Sequence, residues 1–65
     1  MIKINDTKIE WQENLSVTNL LINNNFIVKL SVVKIDGNFI LKKEFNTTIV
    51  ADNADVKVIH LVAGG

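Results

Sequence analysis

Cysteine and proline are both absent from the 65-residue sequence. Without cysteine, the chain cannot form a disulfide, offers no thiolate nucleophile and cannot build a cysteine-ligated metal site. Small secreted domains usually depend on such cross-links, because their hydrophobic cores are too small to hold the fold alone. We therefore expect a cytoplasmic protein that carries no metal site.

Arginine is missing as well, so lysine supplies every basic side chain. The seven basic residues are balanced by seven acidic residues, which gives a formal net charge of zero. Domains that bind nucleic acids normally carry clustered positive charge that contacts the phosphates. We expect no nucleic-acid partner.

Long apolar runs are also lacking. The apolar stretches fall far short of the ~20 residues that a membrane-spanning helix needs. The opening segment 1–6 alternates apolar and polar residues, unlike the continuous apolar block of a signal peptide. A hydrophobic fraction of 48% is nevertheless ordinary for a globular protein. The sequence therefore predicts one globular domain that is monomeric when free and has no membrane partner.

Two short strands are predicted at the start of the chain. Ile2 and Ile4, and then Ile9 and Trp11, alternate with polar neighbours, which is the period-2 pattern of half-buried strands. The polar residues between these pairs predict a tight turn. We expect a hairpin with strands at roughly 1–5 and 8–12, and the same alternation places Trp11 in the core.

A helix is predicted over residues 17–24. Ser16 can cap its first turn by accepting a hydrogen bond from a backbone N–H. Val17, Leu20 and Leu21 then recur at the spacing of one apolar helix face. The asparagine run that follows favours termination, because asparagine tolerates the left-handed conformation of a helix end.

The remaining segments predict three more strands. The β-rich segment 31–35 ends at the turn signal Asp36-Gly37, and its strand could begin as early as Phe26. The other predicted elements are a short strand at 39–41, one turn of helix at 43–46 and a last strand at 56–62.

This order of elements predicts an α+β fold, a mixed sheet of four to five strands with one main helix packed on one face. The ubiquitin-like β-grasp topology is one candidate among several. Residues 1–62 would form the domain, and Ala63-Gly64-Gly65 a flexible tail. The predicted core comprises Ile2, Ile4, Leu20, Leu21, Val33, Ile35, Val56 and Val58.

Three segments carry a resemblance to a known family: residues 2–6, residues 32–38, and the stretch from Asp55 to Leu61-Val62-Ala63-Gly64-Gly65. In their order, and over essentially the whole chain, they resemble the ThiS family of sulfur carriers for thiamine thiazole synthesis. One departure is Leu41-Lys42, which stands where members of that family often have proline. The departure weakens the local match and leaves the tail untouched.

The resemblance implies a β-grasp fold and a protein substrate rather than an enzyme. In such a carrier, an activating enzyme uses ATP to adenylate the terminal carboxylate, here that of Gly65, and the carrier itself binds no cofactor. Sulfur then replaces AMP to give a thiocarboxylate, from which thiazole synthase takes the sulfur. The implied partners are therefore an adenylating enzyme and thiazole synthase.

The chemistry of a glycine tail suits that role. An α-carboxyl group ordinarily has a pKa of about 3.3–3.7, so it is ionised at neutral pH and is a poor electrophile until AMP turns it into an acyl donor. Charge on ATP must be neutralised during this transfer, and the sequence shows no basic cluster near the tail. The catalytic groups would therefore belong to the partner. Gly64 and Gly65 lack Cβ atoms and can pass through a narrow channel.

The last strand is apolar on both faces. If Val56 and Val58 face the helix, then Ile59 and Leu61 lie on the opposite face beside the tail, and we predict that these two bind the partner. His60 is the single histidine. It has no cysteine or second histidine to complete a zinc site, so we expect a structural role for it.

Two other functions remain open at this point. The small subunit of molybdopterin synthase shares the tail chemistry, although that family is usually longer and often has proline before its final segment. A ubiquitin-like modifier or interaction module would bind partners without any tail chemistry. An autonomous enzyme is disfavoured, because the sequence offers no recognisable nucleophile and base.

Overall fold

A computed structural model describes residues 1–61 of the chain, and its strands form one mixed sheet. The strands are β1 (Ile2–Ile4), β2 (Thr7–Ile9), β3 (Ser31–Ile35), β4 (Asn38–Ile40) and β5 (Asp55–His60). The helix α1 spans Val17–Asn23, and short 3-10 turns span Val28–Leu30 and Lys42–Glu44. The predicted arrangement, a mixed sheet with one main helix, is confirmed.

The strand order places the last strand in the middle of the sheet. From edge to edge the order is β2-β1-β5-β3-β4. β5 runs parallel to β1 and antiparallel to β3, whereas β1–β2 and β3–β4 are antiparallel hairpins. Because β5 has a neighbour on each side, the backbone that leads towards residues 62–65 is held by the centre of the domain.

Both hairpins close through two-residue turns. Asn5 and Asp6 have φ values of 46° and 71°, and Asp36 and Gly37 have φ values of 49° and 86°. Two consecutive residues with positive φ make a turn whose twist matches that of the flanking strands. This tight turn explains why β2 begins at Thr7, one residue earlier than the alternation predicted.

The capping predictions for the helix are confirmed. The Ser16 hydroxyl accepts a hydrogen bond from the Asn19 backbone N–H at 3.1 Å. At the other end, Asn25 adopts a φ of 65°, and the Phe26 N–H donates to the Leu21 carbonyl at 2.9 Å. This left-handed residue and its hydrogen bond form a Schellman motif, which ends the helix.

The possible backward extension of β3 to Phe26 is wrong. The chain leaves the helix through the Schellman turn and then makes a 3-10 turn, in which the Leu30 N–H donates to the Ile27 carbonyl at 3.0 Å. Backbone N–H groups that are used within a local turn cannot pair with a neighbouring strand. β3 therefore begins at Ser31.

The core lies between α1 and the facing side of the sheet. All of its predicted members are buried except Ile35, which is half-buried. The buried apolar side chains are Ile2, Ile4, Leu15, Val17, Leu20, Leu21, Val33, Phe45, Val50, Ala54, Val56 and Val58. The placement of Trp11 in the core is wrong, since its side chain is exposed and its indole N–H donates to the Val50 carbonyl at 2.9 Å.

The segment between β4 and β5 contributes hydrogen-bond acceptors to the helix and side chains to the core. Backbone carbonyls of Thr48 and Phe45 accept hydrogen bonds from the first helical N–H groups, those of Val17 and Thr18, at 3.0 and 3.1 Å. These N–H groups have no partner within a helix. The segment 41–54 therefore provides hydrogen-bond acceptors for the first N–H groups of α1. It also contributes the buried side chains of Phe45 and Val50 to the core.

Candidate functional site at the end of the last strand

The end of β5 is the place from which residues 62–65 leave the described part of the chain. β5 pairs with β3 along its length, with Ser31 opposite His60 at its end. One residue later, the Leu61 N–H donates to the Leu30 carbonyl at 2.7 Å. The chain is thus anchored as far as Leu61. The predicted tail, Ala63-Gly64-Gly65, lies outside the described residues.

A side-chain clamp holds β5 on its other edge. The side-chain amide of Asn5 donates to the Val58 carbonyl at 3.0 Å, and its oxygen accepts from the Val58 N–H at 2.9 Å. β1 itself pairs with β5 only as far as Ile4 opposite Val56, with one more backbone bond from Asn5 to Val56. The Asn5 side chain therefore continues the pairing of β1 with β5 after the backbone of β1 has turned away.

Alternation along β5 divides its side chains between the two faces of the sheet. Val56 and Val58 are buried under the helix, whereas Ile59 is 51% exposed and Leu61 is 48% exposed. The structure thus places the two predicted partner-binding residues on the surface beside the exit of the tail. Whether a partner contacts them stays a prediction.

Two other apolar side chains, those of Val32 and Phe39, lie on the same open face. Val32 lies directly opposite Ile59 in the register of β3 and β5, and Phe39 lies opposite Lys34 on β4. Phe39 is 65% exposed, and the Lys34 ammonium lies 5.0 Å from the centroid of its ring. We call Val32, Phe39, Ile59 and Leu61 the open-face patch. The sequence pattern identified Ile59 and Leu61 but not Val32 or Phe39, because the place of those two in the patch depends on strand order.

One lysine side chain contacts the backbone close to Leu61, the last described residue. The Lys42 ammonium donates a hydrogen bond to the backbone carbonyl of Lys29. Lys29 directly precedes Leu30, whose carbonyl binds the Leu61 N–H. The expectation that no basic cluster lies near the tail stays a prediction, since Ala63-Gly64-Gly65 lies outside the described residues. Residues 29, 42 and 61 are brought together by the crossing of the chain, which linear spacing does not reveal.

Carboxylates concentrate around the start of β5, at the other end of the strand. Asp36 accepts a hydrogen bond from the Asp55 N–H at 3.0 Å, and Asp52 lies 2.6 Å from the amino group of Met1. The hydrogen bond from that amino group lowers the pKa of the Asp52 carboxyl below its ordinary value. Asp6 pairs with Lys57 at 3.6 Å, on the open face.

His60 is exposed at the end of β5, opposite the buried Ser31. The Ser31 hydroxyl donates to the Ile27 carbonyl at 2.8 Å. Among residues 1–61, no three histidine, cysteine, aspartate or glutamate side chains come together in a group that could hold a metal ion. In the same part of the chain, no helix is long and apolar enough to cross a membrane.

Comparison with solved structures establishes which fold this is. The chain superposes with a TM-score of 0.79 on the crystal structure of a thiamine biosynthesis protein (ThiS) from Geobacter metallireducens, at 24% identity over 98% of this chain and 97% of that one. An NMR solution structure of a thiamine biosynthesis protein from the same organism gives a TM-score of 0.77 at 24% identity, covering 98% of this chain and 86% of the other. The arrangement of helix and sheet is thus the β-grasp fold of these proteins.

Comparison by sequence assigns the family. A search of curated proteins gives no match. The model of the ThiS family, however, matches residues 1–65, the full sequence including Ala63-Gly64-Gly65. The chain therefore belongs to the ThiS family.

Proposed function

We propose that this protein is the sulfur carrier for thiazole formation in thiamine biosynthesis, and that it acts through the α-carboxylate of Gly65. The observation that carries the proposal is the family match, which runs through the glycine tail to residue 65. The position of the tail supports it, because the tail follows a strand that is anchored on both edges. An anchored strand can present a short extension to an enzyme without unfolding the domain.

The proposed cycle has two chemical steps. In the first, the Gly65 carboxylate attacks the α-phosphorus of ATP, and pyrophosphate leaves. In the second, a sulfur nucleophile attacks the acyl carbon, the C–O bond to AMP breaks, and a thiocarboxylate forms. Adenylation is needed because a carboxylate resists nucleophilic attack until one of its oxygens becomes part of a good leaving group.

The length of the tail supports a partner with a deep, narrow active site. Four residues follow Leu61 in the sequence, and fully extended they would span roughly 13–14 Å at ~3.3–3.6 Å per residue. The activating enzyme would dock the body of the domain and receive Gly65 in a channel of about this depth. Glycine at positions 64 and 65 keeps the chain narrow enough for such a channel.

The open-face patch is the proposed docking surface for the activating enzyme. A few residues near the centre of an interface, packed in desolvated pockets, contribute most of its binding energy. Ile59 and Leu61 adjoin the exit of the tail, so an enzyme bound to them would have the tail directed into its active site. In the same proposal, thiazole synthase is the enzyme that accepts the sulfur.

The tail is tested by ATP–pyrophosphate exchange with the cognate activating enzyme, followed by intact mass measurement. Mass spectrometry should first show that the protein ends at Gly65, and then that incubation with ATP and a sulfur source exchanges one oxygen for sulfur. An alanine appended after Gly65 should abolish activation, because the required carboxylate then lies in a peptide bond. Gly64→Val should cripple activation, and Gly64→Ala should have a smaller effect.

The appended alanine gives the decisive result. Activation of this variant at the parental rate, without proteolytic trimming back to Gly65, would refute the carrier function. The melting temperature serves as a control and should be unchanged, because substitutions at exposed termini are generally tolerated. Sulfur transfer from the isolated thiocarboxylate to thiazole synthase then tests the proposed acceptor.

Docking is tested by Ile59→Asp and Leu61→Asp in titration calorimetry with the activating enzyme. Each should weaken binding by more than about 1 kcal/mol, because a charge would enter the desolvated centre of the interface. Ile22→Asp is the matched control, since Ile22 is 57% exposed on the helix, away from the open face. Equal affinity for the Ile59 variant and the Ile22 variant would remove the open-face patch from the proposal.

A further inference from the structure

Two lysines border the place where the tail leaves the domain. The Lys42 ammonium donates a hydrogen bond to the carbonyl of Lys29, and the next carbonyl along the chain, that of Leu30, accepts one from the N–H of Leu61 at 2.7 Å. Both lysines are exposed. The Lys42 ammonium therefore lies close to the backbone that binds Leu61.

Within residues 1–61, neither Lys29 nor Lys42 forms an ion pair with a carboxylate. The ion pairs within residues 1–61 join Lys3 and Lys57 to Asp6, and the Met1 amino group to Asp52. All of them lie towards the first half of β5. Glu44 is the carboxylate nearest in sequence to Lys42, and no ion pair joins the two in the described part of the chain.

The reach of the tail decides what this positive charge can do. If residues 62–65 extend into a channel, Gly65 lies roughly 13–14 Å from Leu61. That distance is greater than a lysine side chain can bridge from residues 29 or 42. In that conformation the two lysines would be too far from the acyl phosphate to neutralise it. They lie instead where the surface of the domain would meet the mouth of the channel.

We propose that Lys29 and Lys42 form a basic rim around the exit of the tail and bind carboxylates that the activating enzyme presents at the mouth of its active-site channel. This inference rests on the proposed function. The rim adjoins the apolar open-face patch, and a charged border around an apolar centre is the usual organisation of a specific interface. Complementary charge at such a border mainly accelerates association and fixes the orientation of the partners.

The test is the association rate constant with the cognate activating enzyme, measured at several salt concentrations. The double variant Lys29→Glu/Lys42→Glu should associate about tenfold or more slowly than the parent at low ionic strength. The difference should shrink as salt is added, because salt screens interactions between exposed charges. Lys42→Arg should retain most of the parental rate, because it retains the charge.

The controls separate a local rim from the effect of net charge. Lys8→Glu changes the net charge by the same amount as the single variant Lys42→Glu, at an exposed residue of β2. The single variant Lys8→Glu, on the far edge strand, should associate within about twofold of the parent. If Lys8→Glu slows association as much as Lys42→Glu, the effect is one of net charge and the rim is refuted.

The outcome also distinguishes the two proposals. If the parent chain is activated and Lys29→Glu/Lys42→Glu associates as fast as the parent, the rim is refuted and the carrier function stands. Failure of the parent chain itself to be activated would overturn both. Thermal melts of each variant establish that the domain is folded, so that a slow rate reports binding.

Discussion

The Asn5 clamp makes a quantitative prediction about the strand that leads to the tail. The Asn5 amide makes two hydrogen bonds to the backbone of Val58, at 3.0 and 2.9 Å. Asn5 also occupies a left-handed turn position with a φ of 46°. We consider Asn5→Gly, which removes both hydrogen bonds while glycine readily accepts the positive φ.

The expected loss follows from the two hydrogen bonds. A hydrogen bond contributes about 0.5–1.5 kcal/mol net to stability, so Asn5→Gly should lower the free energy of unfolding by about 1–3 kcal/mol. Asn5→Ala should cost more, because alanine adds roughly 1–2 kcal/mol of strain in the left-handed region. In a domain of this size, 1 kcal/mol corresponds to a change in melting temperature of roughly 4–8 °C.

Asp6→Gly is the matched control for the turn. Asp6 is the other left-handed residue of the same turn, with a φ of 71°. Its ion pairs with Lys3 and Lys57 are surface pairs at 3.8 and 3.6 Å, and such pairs contribute about 0–1 kcal/mol. Both variants place glycine in the turn, so the difference between them isolates the clamp.

The assay is urea denaturation of the parent and the variants, combined with hydrogen exchange at the Val58 amide. Asn5→Gly should unfold at a lower urea concentration than Asp6→Gly, and the Val58 amide should exchange faster in Asn5→Gly alone. Equal unfolding midpoints and equal Val58 exchange for the two glycine variants would refute the clamp. The end of β5 would then be held by its pairing with β3 without help from Asn5.

Three further predictions concern the core, the acid response and an isolated hydrogen bond. Leu20→Ala should lower the free energy of unfolding by about 2–5 kcal/mol in urea melts, because Leu20 is only 1% exposed. An unfolding midpoint equal to that of the parent would mean that the helix face is misassigned. The lowered pKa of Asp52 means that its contribution to stability is complete above an ordinary value of about 3.9 and is lost as the pH falls below it. Asp52→Asn should therefore lose less stability than the parent on acidification through that range, and an unchanged pH profile would contradict the pairing with Met1. Trp11→Phe should cost about 0.5–1.5 kcal/mol in the same melts through loss of the bond to the Val50 carbonyl, whereas no change would mean that water replaces this contact.

The helix, the strands and most of the core could be predicted from short stretches of sequence. The Ser16 cap, the apolar spacing of the helix and the alternation in β1 and β5 each act over a few residues, so they specified the helix, the strands and most of the core. The same alternation correctly placed Ile59 and Leu61 on the exposed face. The glycine tail, too, is a feature of the sequence alone, since Ala63, Gly64 and Gly65 lie outside the described residues.

Tertiary structure decided the features that depend on contacts between distant residues. The alternation of Trp11 predicted burial, but its indole instead lies at the surface, bonded to a carbonyl 39 residues away. Phe45 and Val50 belong to a segment without a periodic pattern, and they are held by backbone hydrogen bonds with Thr18 and Leu15 respectively. The Asn5 clamp and the contact of the Lys42 ammonium with the Lys29 carbonyl likewise depend on which segments of the chain become neighbours. A single sequence carries only a weak signal for such contacts, since the gain from each one appears only after the intervening chain has been ordered.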